Sequence, residues 1–214
     1  MPMHDGMAIV NPGIEEYLES LVGEVHPVLV EMETLAKRRS FPFVGPQVGR
    51  LLHILVRATG ARRILELGSG FGYSGLWMAL ALAEDGEIVL TDSETRNEVE
   101  ARNFFKSAGL VSVMRFEVGD GRDVLARTQG SVDMVFNDLD KEQYPEVVDR
   151  VAEILRPGGL FISDNTLWYG RVASSTQDVA TRAVRSFNRI LKADDRFDTV
   201  WLPLRDGISL ALRR

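Results

Sequence analysis

Two short polar clusters, each directly behind an apolar run, hold most of the chemically capable side chains of this sequence. Val132–Phe136 is followed by Asn137-Asp138-Leu139-Asp140-Lys141, and Leu160–Ser163 by Asp164-Asn165-Thr166-Leu167-Trp168. If the two runs are neighbouring strands, Asp138, Asp164 and Asn165 face one crevice. Three hard oxygen donors, with no sulfur and no nearby imidazole, suit Mg²⁺ first, with Mn²⁺ and Ca²⁺ as alternatives. Mg²⁺ prefers about six oxygens, so roughly three positions remain for water or substrate, as a catalytic rather than a structural site requires. A dication there lowers the pKa of a hydroxyl and fixes its direction. Lys141, three residues beyond Asp138, is the candidate base, particularly where desolvation or the metal depresses its own pKa. Taken singly, Asp164-Asn165 is an ordinary turn pair and Lys141 a solvated lysine on a first helical turn. Their joint appearance at successive strand ends is what points to chemistry.

A second constellation precedes them. Ile64–Leu67 runs into Gly68-Ser69-Gly70-Phe71-Gly72-Tyr73-Ser74-Gly75, a turn in which glycines permit left-handed backbone and close approach of a ligand. Gly70, Gly72 and Gly75 match the dinucleotide fingerprint letter for letter, so an NAD-linked oxidoreductase is one reading. Asp92, ending the next apolar run, would hold a ribose in either case. Two details favour S-adenosylmethionine instead. Counted from Gly68, which closes the turn after the strand, the third fingerprint position is Tyr73. Glu66 also places a carboxylate where a pyrophosphate would be repelled, whereas a cationic ammonium and sulfonium would be stabilised.

These clusters need a frame, and the remaining pattern supplies one. Apolar runs at 64–67, 88–91, 113–118, 132–136 and 160–163 alternate with amphipathic stretches around 73–84, 95–108, 121–128 and 142–155. Such alternation predicts a doubly wound, Rossmann-like α/β domain with helices on both faces of a mostly parallel sheet. A helix near 178–192 and two further strands, 197–202 and 208–213, complete it; the Arg205-Asp206-Gly207 turn suits a hairpin and an antiparallel last strand. Residues 13–39, with a break at Pro27, and 47–59 read as helical, so a helical extension (1–60) precedes the core (61–214) in one domain of 214 residues. No cysteine is present, which removes disulfides and thiolate metal sites and fits a reducing cytoplasm. Met1–Pro12 lacks a secretory pattern, and no apolar stretch reaches the roughly 18 residues of a membrane span. A net charge of −6 weighs against a partner held through phosphates. His4, His26 and His53 fall outside the strand-end clusters, and Arg38-Arg39 and Arg62-Arg63 read as solvated faces rather than an RNA surface. Phe41 and Phe43 are candidates to cover the cofactor, Trp168 and Tyr169 to wall the acceptor.

The stretches ILELGSGFGYSG (64–75), DLDKEQY (138–144) and GGLFISDNTLWYGRV (158–172) together resemble the cation-dependent class I O-methyltransferases that include catechol and caffeoyl-CoA O-methyltransferases. The resemblance spans about residue 44 to the end. It implies a seven-stranded sheet, a homodimer and a small hydroxylated acceptor. By the same resemblance Glu66 lies near the methionine amino group, Ser74 and the Gly68–Ser69–Gly70–Gly72 backbone beside the amino-acid part, and Asp92 at the ribose. Asp120 and Gly121 border the adenine, and Val44 meets the cofactor through its backbone. Asp138, Asp164 and Asn165 hold the metal, with Asp138 also close to the cofactor, and Lys141 is the base. Three positions depart from the pattern: Asn137 is usually apolar, Leu139 usually smaller, and Arg205 a glycine in many relatives. IEEYLESL (14–21) and the compact metal motifs also resemble bacterial relatives that methylate a hydroxylated wobble uridine in tRNA. A non-catalytic nucleotide-binding protein on the same fold is a reading of a different class, which the intact Asp138, Lys141, Asp164 and Asn165 oppose.

Overall fold

A computed structural model describes residues 8–214; His4 and the first part of Met1–Pro12 lie outside the described residues. Prolines set the first two helices. Pro12 and Pro27 stand in first turns, where a missing N–H leaves no helical bond unmade. They open α1 (Pro12–Ser20) and α2 (Pro27–Arg39). Asn11 and His26 cap them, accepting from the N–H groups of Gly13 and Val28 at 2.9 and 3.3 Å. The 13–39 stretch is therefore two helices separated by a break. α3 (Gly45–Thr59) follows and buries Val48, Leu52 and Val56 along one face.

The strands are β1 (Arg63–Leu67), β2 (Glu87–Asp92), β3 (Met114–Val118), β4 (Val132–Asn137), β5 (Leu155–Ser163), β6 (Phe197–Leu202) and β7 (Ile208–Arg213). They form one sheet in the order β3-β2-β1-β4-β5-β7-β6. Only β7 runs against its neighbours. The crossover helices are α4 (Tyr73–Ala79), α5 (Thr95–Ser107), α6 (Gly121–Arg127), α7 (Tyr144–Ile154) and α8 (Val179–Ala193). α4 is shorter than the expected 73–84. It runs out through i→i−3 bonds, Ala81 N–H to the Met78 carbonyl at 3.0 Å and Leu82 N–H to that of Ala79 at 3.2 Å, the tightening common at helix ends.

Alternation along the strands sorts the core into two layers. Ile64, Leu90, Phe136 and Ile162 face α2–α5, while Leu65, Val89, Val135 and Phe161 face α6–α8. Strand order reverses between β1 and β4, the place where open α/β sheets leave a crevice beyond the carboxyl ends. Hydrogen bonds continue past those ends and fix the loops there: Ser69 N–H to Thr91, Asp138 N–H to Leu67 and Asp164 N–H to Asn137, at 2.7, 2.8 and 3.1 Å. Among the described residues no helix is long and apolar enough to cross a membrane.

Candidate active site

The crevice at the switch point opens into a cavity of about 930 Å³, a size that holds a cofactor and a small acceptor together. Its wall includes Val44, Gly68, Ser69, Gly70, Ser74, Asp92, Asp120, Gly121, Asp138, Lys141, Asp164 and Asn165. Phe41, Phe43, Trp168 and Tyr169 also line it. Two expected contact residues do not. Gly72 caps α4 at φ 86, packed towards Ala101, Leu90 and Phe105, so its glycine serves helix-on-strand packing. Glu66 is fully buried beneath the floor and reaches the cavity through Ser74, whose hydroxyl donates to Oε1.

The glycine turn is held from both sides. Gly68 N–H donates to Thr91 Oγ1 at 3.2 Å, and that hydroxyl donates to the Glu66 carbonyl at 3.0 Å. Gly68 has φ 81, and a β-carbon there would lie 2.4 Å from the Asp138 carbonyl oxygen; the two loops touch through backbone. The Phe41 ring lies similarly against Gly70. Asp92 accepts from Gly70 N–H at 3.0 Å and from Asn97 Nδ2 at 2.9 Å, which fixes its carboxylate at the β2 end. Asp120 caps α6 through Arg122 N–H at 2.8 Å, and the Arg122 guanidinium holds its carboxyl below the usual range. Leu139 packs over Gly121, where a β-carbon would come within 3.0 Å of it; the bulkier residue fits because Gly121 has no side chain.

Glu66 is the unusual group of this half. Among the described residues its Oε2 has no hydrogen-bond partner, and burial pushes its pKa up to about 8 against the opposing bond from Ser74. An orphaned carboxylate oxygen beneath the cavity floor fits a cationic ammonium above it.

In the other half, burial raises the carboxyls of Asp138 and Asp164; Lys141 opposes the rise at Asp138, and the charge of Asp138 adds to it at Asp164. Lys141 Nζ donates to Asp138 Oδ1 at 3.0 Å and to the Tyr144 hydroxyl at 2.9 Å; that hydroxyl donates to the Asp164 carbonyl at 3.0 Å. Asn165 has φ 53 and gives its Nδ2 to Asp206 Oδ2 at 3.3 Å, which leaves its Oδ1 as the donor atom for a cation. Two carboxylates, Asp164 buried and Asp138 partly so, and one amide oxygen fit a hard dication. No group of three His, Cys, Asp or Glu side chains able to hold a metal occurs among the described residues; the candidate set is two carboxylates and an amide.

Lys141 stands where expected, between Asp138 and Tyr144. Burial opposes its ammonium, yet the Tyr144 oxygen and the carboxylates of Asp138 and Asp164 outweigh it, holding Lys141 above the usual lysine range. Asn137 is buried with its Nδ2 a long 3.4 Å from Ser163 Oγ and its Oδ1 unpartnered. His26 caps α2, and His53 Nδ1 sits 3.3 Å from the Trp77 carbonyl, both outside the site. Arg39, Arg62 and Arg63 pair with Glu100, Asp85 and Glu87. Three contributors carried no sequence assignment. Tyr144 was legible only as the last letter of a motif, three residues from Lys141. Glu33, which accepts from the Tyr73 hydroxyl at 2.7 Å, and Asp206, which accepts from Asn165 and from the Tyr169 N–H, had no local signal.

A family model described as O-methyltransferase matches residues 19–214. The caffeoyl-CoA O-methyltransferase of Stellaria longipes is 33% identical over 95% of this chain and 86% of its own length. The catechol O-methyltransferase of Niastella koreensis is 29% identical over 93% and 96%. The O-methyltransferase TomG of Streptomyces achromogenes, solved in complex with SAM, superposes with a TM-score of 0.84 at 29% identity, over 94% of this chain and 96% of its own.

Proposed function

This chain belongs to the O-methyltransferase family, and from that premise we propose that it transfers a methyl group from S-adenosylmethionine to one hydroxyl of a catechol-like or phenolic small molecule, with a divalent cation at Asp138, Asp164 and Asn165. The observation that carries this reading is the meeting of two sites in one cavity. The glycine turn of β1 and the carboxylate–amide set of β4 and β5 line the same wall, joined where Gly68 abuts the Asp138 backbone.

S-adenosylmethionine supplies the electrophilic methyl on a sulfonium. Gly68 and Gly70 admit its amino-acid part against the backbone, Ser74 presents the charge of Glu66 to the ammonium, and Asp92 takes the ribose hydroxyls. Asp138, Asp164 and Asn165 would hold a dication, which would lower the pKa of an acceptor hydroxyl and fix its direction. Vicinal dioxygen acceptors suit such a donor set, because it leaves more than one position free. Lys141 Nζ is the base of this reading. Asp138 and Asp164, which with the Tyr144 oxygen keep it charged, are also two of the proposed metal ligands, so a bound dication would weaken their hold and lower its proton affinity. Trp168 and Tyr169 wall the acceptor ring, and closing reactants into one aligned pair supplies much of the acceleration.

A homodimer is part of the proposal. Ile14, Tyr17 and Leu21 on and beside α1 are more than half exposed, which supports a covered face there, and light scattering of the purified chain reads its mass. The acceptor is tested by incubating the enzyme with labelled donor and a panel of catechols, phenolic acids, flavonoids and undermodified tRNA. Label in a catechol or phenol supports the proposal; label in tRNA alone replaces it with the hydroxyuridine reading.

A further inference from the structure

We propose that Arg205 recognises a carboxylate on the acceptor, so that the preferred substrate is an anionic catechol, a ring acid rather than a neutral diol. The proposal deepens the methyl-transfer reading of the same cavity and rests on it. Arg205 lies in the turn between β6 and β7 with φ 49, a left-handed position where a β-carbon is costly and glycine is favoured. Its guanidinium lies against the first residue of α3: a β-carbon on Gly45 would come 1.5 Å from Nη1 and 2.7 Å from Cζ. Gly45 itself has φ 76. Two backbone positions thus accommodate one long cationic side chain on the cavity wall.

Among the described residues that cation has no bonded counter-charge. Among the described residues the Arg205 side chain makes none of the hydrogen bonds or ion pairs found for Arg122, Arg156 or Arg196. Asp206, its neighbour, is committed to Asn165 and the Tyr169 N–H. The first turn of α3 carries no acidic residue. Of the two cations that line the cavity among the described residues, Lys141 is bonded to Asp138 and Arg205 is not. Arg205 shares the wall with Asp164, Asn165, Trp168 and Tyr169. A ring that offers its hydroxyls to the Asp164–Asn165 end can therefore present a substituent to the guanidinium. A planar guanidinium pairs best with a carboxylate, through two parallel N–H···O bonds. The competing explanation is that Arg205 merely offsets Asp164 and Asp206, whose carboxyls its charge lowers slightly. That role would treat charged and neutral acceptors alike.

The test compares 3,4-dihydroxybenzoate with 3,4-dihydroxybenzamide in wild type and Arg205→Gly, which suits the left-handed backbone. Benzoate binding to both proteins is measured by calorimetry. A charge-assisted contact is worth about a tenfold to hundredfold preference for the acid in kcat/KM. In R205G the acid should lose that factor relative to the amide, through KM. Benzoate should bind wild type and not R205G. Equal use of acid and amide by wild type, or a preference that persists in R205G, overturns the proposal. If neither diol is methylated but benzoate binding depends on Arg205, the anion site stands and the catechol reading falls. If benzoate binding is also absent, both fall.

Discussion

Replacing Glu66 by Gln separates charge from shape at the cofactor floor. The amide oxygen can still accept from Ser74, so the packing survives while the carboxylate is lost. In the wild type the buried carboxyl sits at about 8, so ionising it at about pH 7 costs ~1.4 kcal/mol, and ~2.7 kcal/mol at about pH 6. Its interaction with a buried ammonium contributes about 3 kcal/mol. The difference leaves the wild type ahead by ~1.6 kcal/mol at pH 7, about tenfold in affinity, and nearly level with the variant at pH 6. The assay is calorimetric titration with S-adenosylhomocysteine, whose amino group stays charged over most of that range, in two buffers of different ionisation enthalpy. Wild type should release close to one proton on binding at pH 7, and E66Q none.

The same group sets a stability trend whose sign is opposite to that of a paired carboxylate. A folded pKa raised above the unfolded value means that the native state holds the proton longer. Stability is then lost as pH rises from about 4.5 towards about 8. E66Q should show a flatter melting profile across that window and melt above the wild type at its alkaline end. Identical pH slopes for affinity and melting, with no proton released, would refute the assignment of Glu66 as the counter-charge.

Gly68→Ala should destabilise the chain by about 2–4 kcal/mol, since a β-carbon 2.4 Å from the Asp138 carbonyl oxygen must displace backbone at φ 81; chemical denaturation reads the loss, and a cost under about 0.5 kcal/mol would contradict the close approach of the two loops. Tyr144→Phe removes the hydroxyl that links Lys141 to the Asp164 carbonyl. A stability loss of about 1–2 kcal/mol and a fall in kcat are expected. Unchanged turnover would show that this link does not position Lys141.

Much of the frame was legible because its signals are local. Apolar runs ending in polar clusters located every strand, and 197–202 and 208–213 match β6 and β7 residue for residue. Asp138, Asp164 and Asn165 could be brought together on paper because parallel neighbours end on the same edge. The rest depends on contacts that no spacing encodes. Tyr73 meets Glu33 across 40 residues and Asn165 meets Asp206 across 41. Glu66 lies behind Ser74 rather than on the wall because strand alternation turns it to the α2–α5 layer with Leu90 and Phe136. The charge of Lys141 follows from the balance of its burial against the Tyr144 oxygen and two carboxylates, and burial is invisible in a one-dimensional pattern. Arg205 read as a departure until its guanidinium was found against Gly45.

Mg²⁺ dependence of methyl transfer to a catechol, measured after chelation in wild type and in Asp164→Asn, tests the central claim most directly. Turnover of the wild type should vanish with chelator and return with Mg²⁺, while D164N binds S-adenosylhomocysteine yet responds to added Mg²⁺ only weakly or not at all. Full turnover in chelator, or a D164N enzyme restored by Mg²⁺ as readily as the wild type, would contradict a cation held by Asp138, Asp164 and Asn165.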